Sequence, residues 1–212
     1  MSSQKGKLLG LLKLNAKKNN RSYDDLIGWL ETTSFYTDPA SQRYHNNYPG
    51  GLVDHMLNVN EILEDQIRSS KIKDQFTTDT FDTLIVAIGH DLNKVGTYKI
   101  GFRNRKIDNV WCQMKFYEGQ YRDDILTHAE VSLALTRKYV PDLSRTECAA
   151  IRWAEGMWDE SCGTDAGRRA WTNAIKYDPR VLYTHNADMQ ATYYYEKILD
   201  EIELNKVLSK IK

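Results

Sequence analysis

His90 and Asp91 close an otherwise apolar run, Leu84-Ile85-Val86-Ala87-Ile88, and that position makes them the first candidates for chemistry. An ionisable pair at the end of a buried helix is costly unless something compensates it. A divalent cation would compensate both, because neutral imidazole and carboxylate are ordinary metal ligands, and the two oxygens of one Asp can serve two ions. A plain buried His–Asp hydrogen bond is the reading that stays open beside it. The chain has five histidines, His45, His55, His90, His128 and His185. His55 falls one turn into the helix expected after Pro49-Gly50-Gly51. His185 and Asp188 are three apart and so share a face of a late helix.

These residues need helices to carry them. Ser22 with Asp24 and Asp25 predicts a helix through Leu26, Ile27, Trp29 and Leu30. Further helices are predicted over Leu52 to about Ser69, from near Thr80 to His90-Asp91, and over about Leu126 to Tyr139. Ser144 with Glu147 forms a capping-box signal for a helix through Ile151 to about Met157. A short helix is expected from Gly167 to Tyr177, and one long final helix from Pro179 through Asp188 towards the C-terminus. Between Tyr98 and Tyr121 the pattern alternates and predicts a β-hairpin or an irregular flap. The expectation is an all-α bundle with that flap at 98–121, in one domain: an N-terminal helical extension over 1–43, a core over 44–192 and a C-terminal helix extension over 193–212.

At this point the sequence resembles the HD-domain metal-dependent phosphohydrolases, and their two-metal branch in particular. The resemblance rests on Tyr48-Pro49-Gly50-Gly51-Leu52-Val53-Asp54-His55, on Gly89-His90-Asp91-Leu92-Asn93-Lys94-Val95-Gly96, and on His185-Asn186-Ala187-Asp188-Met189. Leu126-Thr127-His128-Ala129-Glu130 and Ala150-Ile151-Arg152-Trp153 look like the family's middle helices. These blocks in the right order, over roughly Tyr44 to Thr192, are more specific than the dipeptide alone.

The resemblance implies that His55, His90, Asp91 and Asp188 hold one metal and that Asp91 and His128 contribute to a second. It implies that Lys94 meets substrate phosphate or steadies a departing oxygen, with Asp91 orienting the nucleophile. One or two divalent ions are implied, with Mn, Fe, Co, Ni, Zn and Mg all open. The chain departs from the family at Ala154, where two-metal members carry a His; Glu155 is the candidate substitute. Asn93 replaces a common Gly, His45 is a candidate to line the pocket, and His185 is expected to support the ligands from behind. Arg103 and Arg105 of the flap are candidates to balance phosphate charge. Trp111, with Phe116, Tyr117 and Tyr121, is a candidate to stack a base, while Trp153, Trp158 and Trp171 are expected to pack the bundle. Tyr193-Tyr194-Tyr195 cannot all face inward on a helix.

The implied activity is hydrolysis of a nucleotide phosphate or phosphodiester by metal-activated water. Oxygenation of a small alcohol or phosphonate at a di-iron centre of the same fold, and a 3′-5′ exonuclease-like activity, are the alternatives. Composition limits the partners. Lys and Arg number 29, as do Asp and Glu, so no overall field favours long nucleic acid. No apolar run approaches the roughly 20 residues of a membrane span. Met1 to Arg21 carries six basic residues and no acidic one, but Lys13 interrupts its apolar stretch, so an amphipathic helix is expected rather than a leader. Three cysteines without a CxxC pair suit a reducing, cytoplasmic setting. A homo-oligomer stays open.

Overall fold

A computed structural model describes residues 3–120 and 125–210. The chain is mostly helical, with one small antiparallel sheet. Helix α1 spans Ser3–Asn19, α2 Asp24–Glu31, α3 Gly51–Ser69 and α4 Thr83–Gly89. Strands β1 (Tyr98–Ile107) and β2 (Val110–Gly119) follow, then α5 (His128–Tyr139), α6 (Arg145–Arg152), α7 (Asp165–Tyr177), α8 (Pro179–Gln190) and α9 (Glu201–Leu208). Among the described residues no helix is long and apolar enough to cross a membrane.

Helix α4 is buried all round from Leu84 to Gly89, which marks it as the centre of the bundle rather than a face of it. It packs against α3, α5 and α6, and α3 in turn packs against α8 and α1. Each large aliphatic side chain sealed here, such as Leu52, Met56, Leu84, Ile85 or Ile88, contributes about 2 kcal/mol of transfer free energy. The expected amphipathic opening helix is α1, which buries Leu8 and Leu12.

Two glycines let the site-bearing helices pack this closely. A Cβ on Gly89 would lie 2.7 Å from Ile151 Cδ1 and 2.8 Å from Thr136 Oγ1, so only glycine lets α5 and α6 approach beside His90. A Cβ on Gly51 would lie 1.9 Å from the Asn46 carbonyl oxygen, where the loop folds over the start of α3.

Caps explain where several elements differ from expectation. Helix α4 begins at Thr83, not near Thr80, because the Asp82 carboxylate accepts from Leu84 N at 3.0 Å and Ile85 N at 3.3 Å. That carboxylate also accepts from Asn15, Asn19 and Tyr23, tying α1 to α4. The Ser144–Glu147 capping box is present, but α6 ends at Arg152, and Gly156–Trp158 forms a separate 3₁₀ turn.

The expected long final helix is broken. Helix α8 closes in one π turn, Ala191–Tyr195; Glu196 is extended, and α9 restarts behind an Asp200–Glu203 capping box. Tyr193, Tyr194 and Tyr195 are all exposed.

The 98–121 segment is a true hairpin as far as it is described. Tyr98 pairs with Gly119 and Ile107 with Val110, and Asp108 and Asn109 both have positive φ, as a two-residue hairpin turn requires. Tyr121 lies outside the described residues. The hairpin is held by α9, with Tyr117, Leu204 and Leu208 forming a small core of their own. Trp153 and Trp171 are buried against Val181, whereas Trp158 is exposed, contrary to expectation.

Candidate metal centre

Three helices bring four ligand-type side chains to one point. His55 lies in the first turns of α3, His90 and Asp91 follow α4, and Asp188 lies on α8. His55 Nε2 is 3.2 Å from Asp91 Oδ2, 3.3 Å from Asp188 Oδ1 and 3.2 Å from His90 Nε2. His90 Nε2 is 3.5 Å from Asp91 Oδ2 and 3.8 Å from Asp188 Oδ1. His55, His90 and Asp91 form a buried group whose donor atoms are close enough together to share one ion.

The far side of each imidazole is also engaged. His90 Nδ1–H donates to the Ala87 carbonyl at 2.7 Å, which leaves Nε2 as the unprotonated nitrogen facing the cluster. His55 Nδ1–H donates to Glu196 Oε1 at 2.9 Å. Burial alone would lower the pKa of His55. The carboxylates of Asp188, Asp91 and Glu196 outweigh it and hold the imidazole well above its ordinary range. Asp91 is held well below the usual carboxylate range: burial opposes this, but Lys94, His90, His128 and His55 all favour its charge. Asp188 is depressed in the same way by His55 and His90. Without a metal, the proton on His55 Nε2 is therefore the positive charge that reconciles two carboxylates with two imidazoles. A divalent ion would replace that proton, so the donor set fits one.

Lys94, in a 3₁₀ turn directly after Asp91, places Nζ 2.7 Å from Asp91 Oδ2. Its ammonium is retained because this pairing outweighs the cost of burial. On the other side of Asp91, His128 Nε2–H donates to Oδ1 at 3.0 Å. The side-chain amide of Asn93 donates to His128 Nδ1 at 2.6 Å. Glu155 lies within the electrostatic reach of His128 and Asp91, and burial pushes its carboxyl up. Ala154 is buried at the end of α6, and its carbonyl accepts from His185 Nδ1–H at 2.7 Å.

Other expected site residues lie elsewhere. His185 does not back the ligands; its ring packs between Trp158 and Trp171, which is why sharing a helix with Asp188 does not bring it to the same place. Arg103 and Arg105 both pair with Glu201 on α9. Trp111 is exposed beside the hairpin turn, eight residues along the strand from the Tyr98–Gly119 end, or about 26 Å of strand. Tyr117 is buried under α9.

Sequence reasoning missed Glu196. Its side chain is fully buried, and Oε2 accepts from His45 Nδ1–H at 2.6 Å while Oε1 accepts from His55 and from Asn58 Nδ2 at 3.1 Å. Burial would raise its carboxyl, but these bonds bring it down to about 2. His45 meets the cluster through Glu196 and through its ring, which lies edge-on to that of His55 with centroids 4.8 Å apart. One signal was available: Asp200-x-x-Glu203 is a capping box, so the helix must restart at Glu201, and Glu196 must lie in the preceding gap.

Comparison with family models, with curated proteins and with solved structures gives no match.

Proposed function

We propose that this chain is a metal-dependent phosphohydrolase of the HD-domain type, acting on a nucleotide phosphate or phosphodiester. The observation that carries the reading is the convergence of His55 Nε2, His90 Nε2, Asp91 and Asp188 from three helices, with Lys94 Nζ against Asp91. Neither a buried His–Asp pair nor a packing core needs four such groups and a lysine at one point.

A divalent ion held by these four residues would supply Lewis acidity, acidifying water towards neutral pH and balancing phosphate charge. The chain's own groups supply the rest. The carbonyl of Ala87 and the carboxylate of Glu196 keep the Nε2 atoms of His90 and His55 turned inwards. Asp91 Oδ1 accepts from His128, while its buried Oδ2 has no hydrogen-bond donor and faces Lys94 Nζ at 2.7 Å and His55 Nε2 at 3.2 Å, which leaves it open to a cation. Lys94 brings a fixed positive charge to where phosphate oxygens accumulate negative charge. His128 Nε2–H holds Asp91 Oδ1 in place where no second ion does so.

The test is metal analysis of the purified protein together with a screen of nucleotides and phosphodiesters, repeated on Asp91→Ala. Bound Mn, Co, Ni, Zn or Fe(II), or turnover supported by added Mg, with both metal and turnover lost in a folded Asp91→Ala protein, is the expected result. Stoichiometric metal with full turnover in Asp91→Ala would remove Asp91 from the site. An oxidised iron pair with no hydrolysis of any phosphate ester would replace hydrolysis by the oxygenase reading.

A further inference from the structure

A cavity of about 510 Å³ lies between the hairpin and the segment leading into α9, within the size range of small-molecule sites. None of His55, His90, Asp91, Lys94, His128 or Asp188 lines it. Its wall includes Met114, Tyr117 and Leu204, each nearly sealed from solvent, together with Phe116. Three guanidinium groups reach it, Arg43 from the loop before α3 and Arg103 and Arg105 from β1; Lys115 of β2 also lines it, but its ammonium donates to the Leu208 carbonyl at 3.2 Å.

The charges at this cavity do not cancel. Two carboxylates, Asp200 and Glu201, face these three cations, leaving a surplus of one positive charge that becomes two when Glu201 is displaced. Asp200 is committed to capping α9 through Ile202 N and Glu203 N. Glu201 lies between the guanidinium groups of Arg103 and Arg105, which sit two residues apart on one face of β1. One carboxylate borne by the chain thus occupies a pair of arginine forks that suits a tetrahedral or planar oxyanion. The guanidinium of Arg103 also lies 4.8 Å from the centre of the Phe116 ring, so charge and an aromatic face meet at one point.

The geometry points to a second binding site here, for a phosphate monoester carrying a planar apolar body, of the nucleoside monophosphate class. The dianionic head replaces Glu201 between Arg103 and Arg105 and matches the two charges left when Glu201 is displaced. The body lies against Phe116 and the apolar wall. This site goes beyond the hydrolytic centre and does not depend on it, since none of the residues that converge there lines it.

The test uses full-length protein stripped of metal, titrated by calorimetry with adenosine 5′-monophosphate, inorganic phosphate and adenosine separately. The monophosphate should bind at one site, and more tightly than either fragment. Arg103→Ala and Arg105→Ala should each weaken it about tenfold or more, as loss of a charge-assisted hydrogen bond does. Glu201→Ala should tighten it about tenfold, because the competing carboxylate is gone. Asp91→Asn should leave it within about twofold. Arg43→Ala, a change at an exposed loop residue, provides a weakening test that does not disturb the hairpin. Melting curves establish that each variant is folded.

Three results would overturn the site. One is no saturable binding up to about 1 mM by either the native protein or Glu201→Ala. Another is binding lost in Asp91→Asn but kept in the arginine variants, which places the ligand in the metal centre. The third is inorganic phosphate binding as tightly as the nucleotide, which removes any part for the apolar wall.

Discussion

Glu196→Gln is the sharpest perturbation of the candidate metal centre that leaves every candidate ligand in place. The carboxylate accepts three hydrogen bonds, from His55 at 2.9 Å, His45 at 2.6 Å and Asn58 at 3.1 Å. A glutamine keeps one accepting oxygen and presents an N–H to the other side. It can therefore satisfy His55 or His45, never both, and the bond it keeps is no longer charge-assisted. A charge-assisted hydrogen bond contributes roughly 1.5–3 kcal/mol, so divalent-metal affinity should fall roughly 10- to 100-fold. If the amide turns its N–H to His55, Nδ1 must accept, the ring proton moves to Nε2, and the loss lies at the upper end. The assay is competition with a chelator on stripped protein, paired with nuclear magnetic resonance of the His55 Nδ1–H proton. That proton exchanges slowly while Glu196 holds it and should exchange fast, or vanish, in Glu196→Ala. Melting of the metal-free variants separates this effect from general loss of fold. Affinity within twofold of the native protein, with the His55 proton unchanged in Glu196→Ala, would refute the reasoning. A native protein that binds no divalent metal would refute the metal centre itself while leaving the proton measurement to report on Glu196.

Three further outcomes are expected. Lys94→Ala should keep its metal but slow turnover about a hundredfold, and unchanged kinetics across phosphate substrates would reduce Lys94 to a partner of Asp91. Asp178→Asn should destabilise the fold by about 3 kcal/mol near neutral pH, because Asp178 both caps α8 and pairs with the buried Arg180. Burial would raise the Asp178 carboxyl, but Arg180 and Thr77 hold it below its ordinary 3.8, so its contribution is complete above that value and is lost as pH falls below it. The native protein's melting temperature should therefore fall more steeply than that of Asp178→Asn as pH is lowered below about 4, and parallel curves would contradict this. Metal titration should show one tight ion and a weaker second, with Ala154→His tightening only the second and Glu155→Gln weakening it; two equally tight ions untouched by either change would mean that the end of α6 plays no part.

The grouping of His55, His90-Asp91 and Asp188 was expected from the order of the motifs that resemble a known family; periodicity by itself marked only the apolar run that His90 and Asp91 close. Apolar runs on α3 and α4 fix which faces are buried, and glycine at 51 and 89 marks where the backbones close in. Helical phase failed at His185. Three residues from Asp188 it shares a broad face, yet Gly156 and two tryptophans offer its ring a place that phase alone does not reveal. The same limit applies to the hairpin: alternation identified the strands, but nothing in it specified that α9 would pack against them and engage Arg103 and Arg105.

The break before Glu196 joins these cases. A single π turn adds one residue to the last turn of α8, and the chain then runs extended to Asp200. An uninterrupted helix would have carried residue 196 onward along the α8 axis. The break instead turns Glu196 back beneath His55, and the same segment, five residues later, sets Glu201 between the hairpin arginines. The C-terminal segment thus supplies the carboxylate that orients the His55 imidazole at one end and the carboxylate that fills an arginine pair at the other. Both were hidden from periodicity for one physical reason: their positions follow from where a helix stops, and caps rather than apolar spacing determine that.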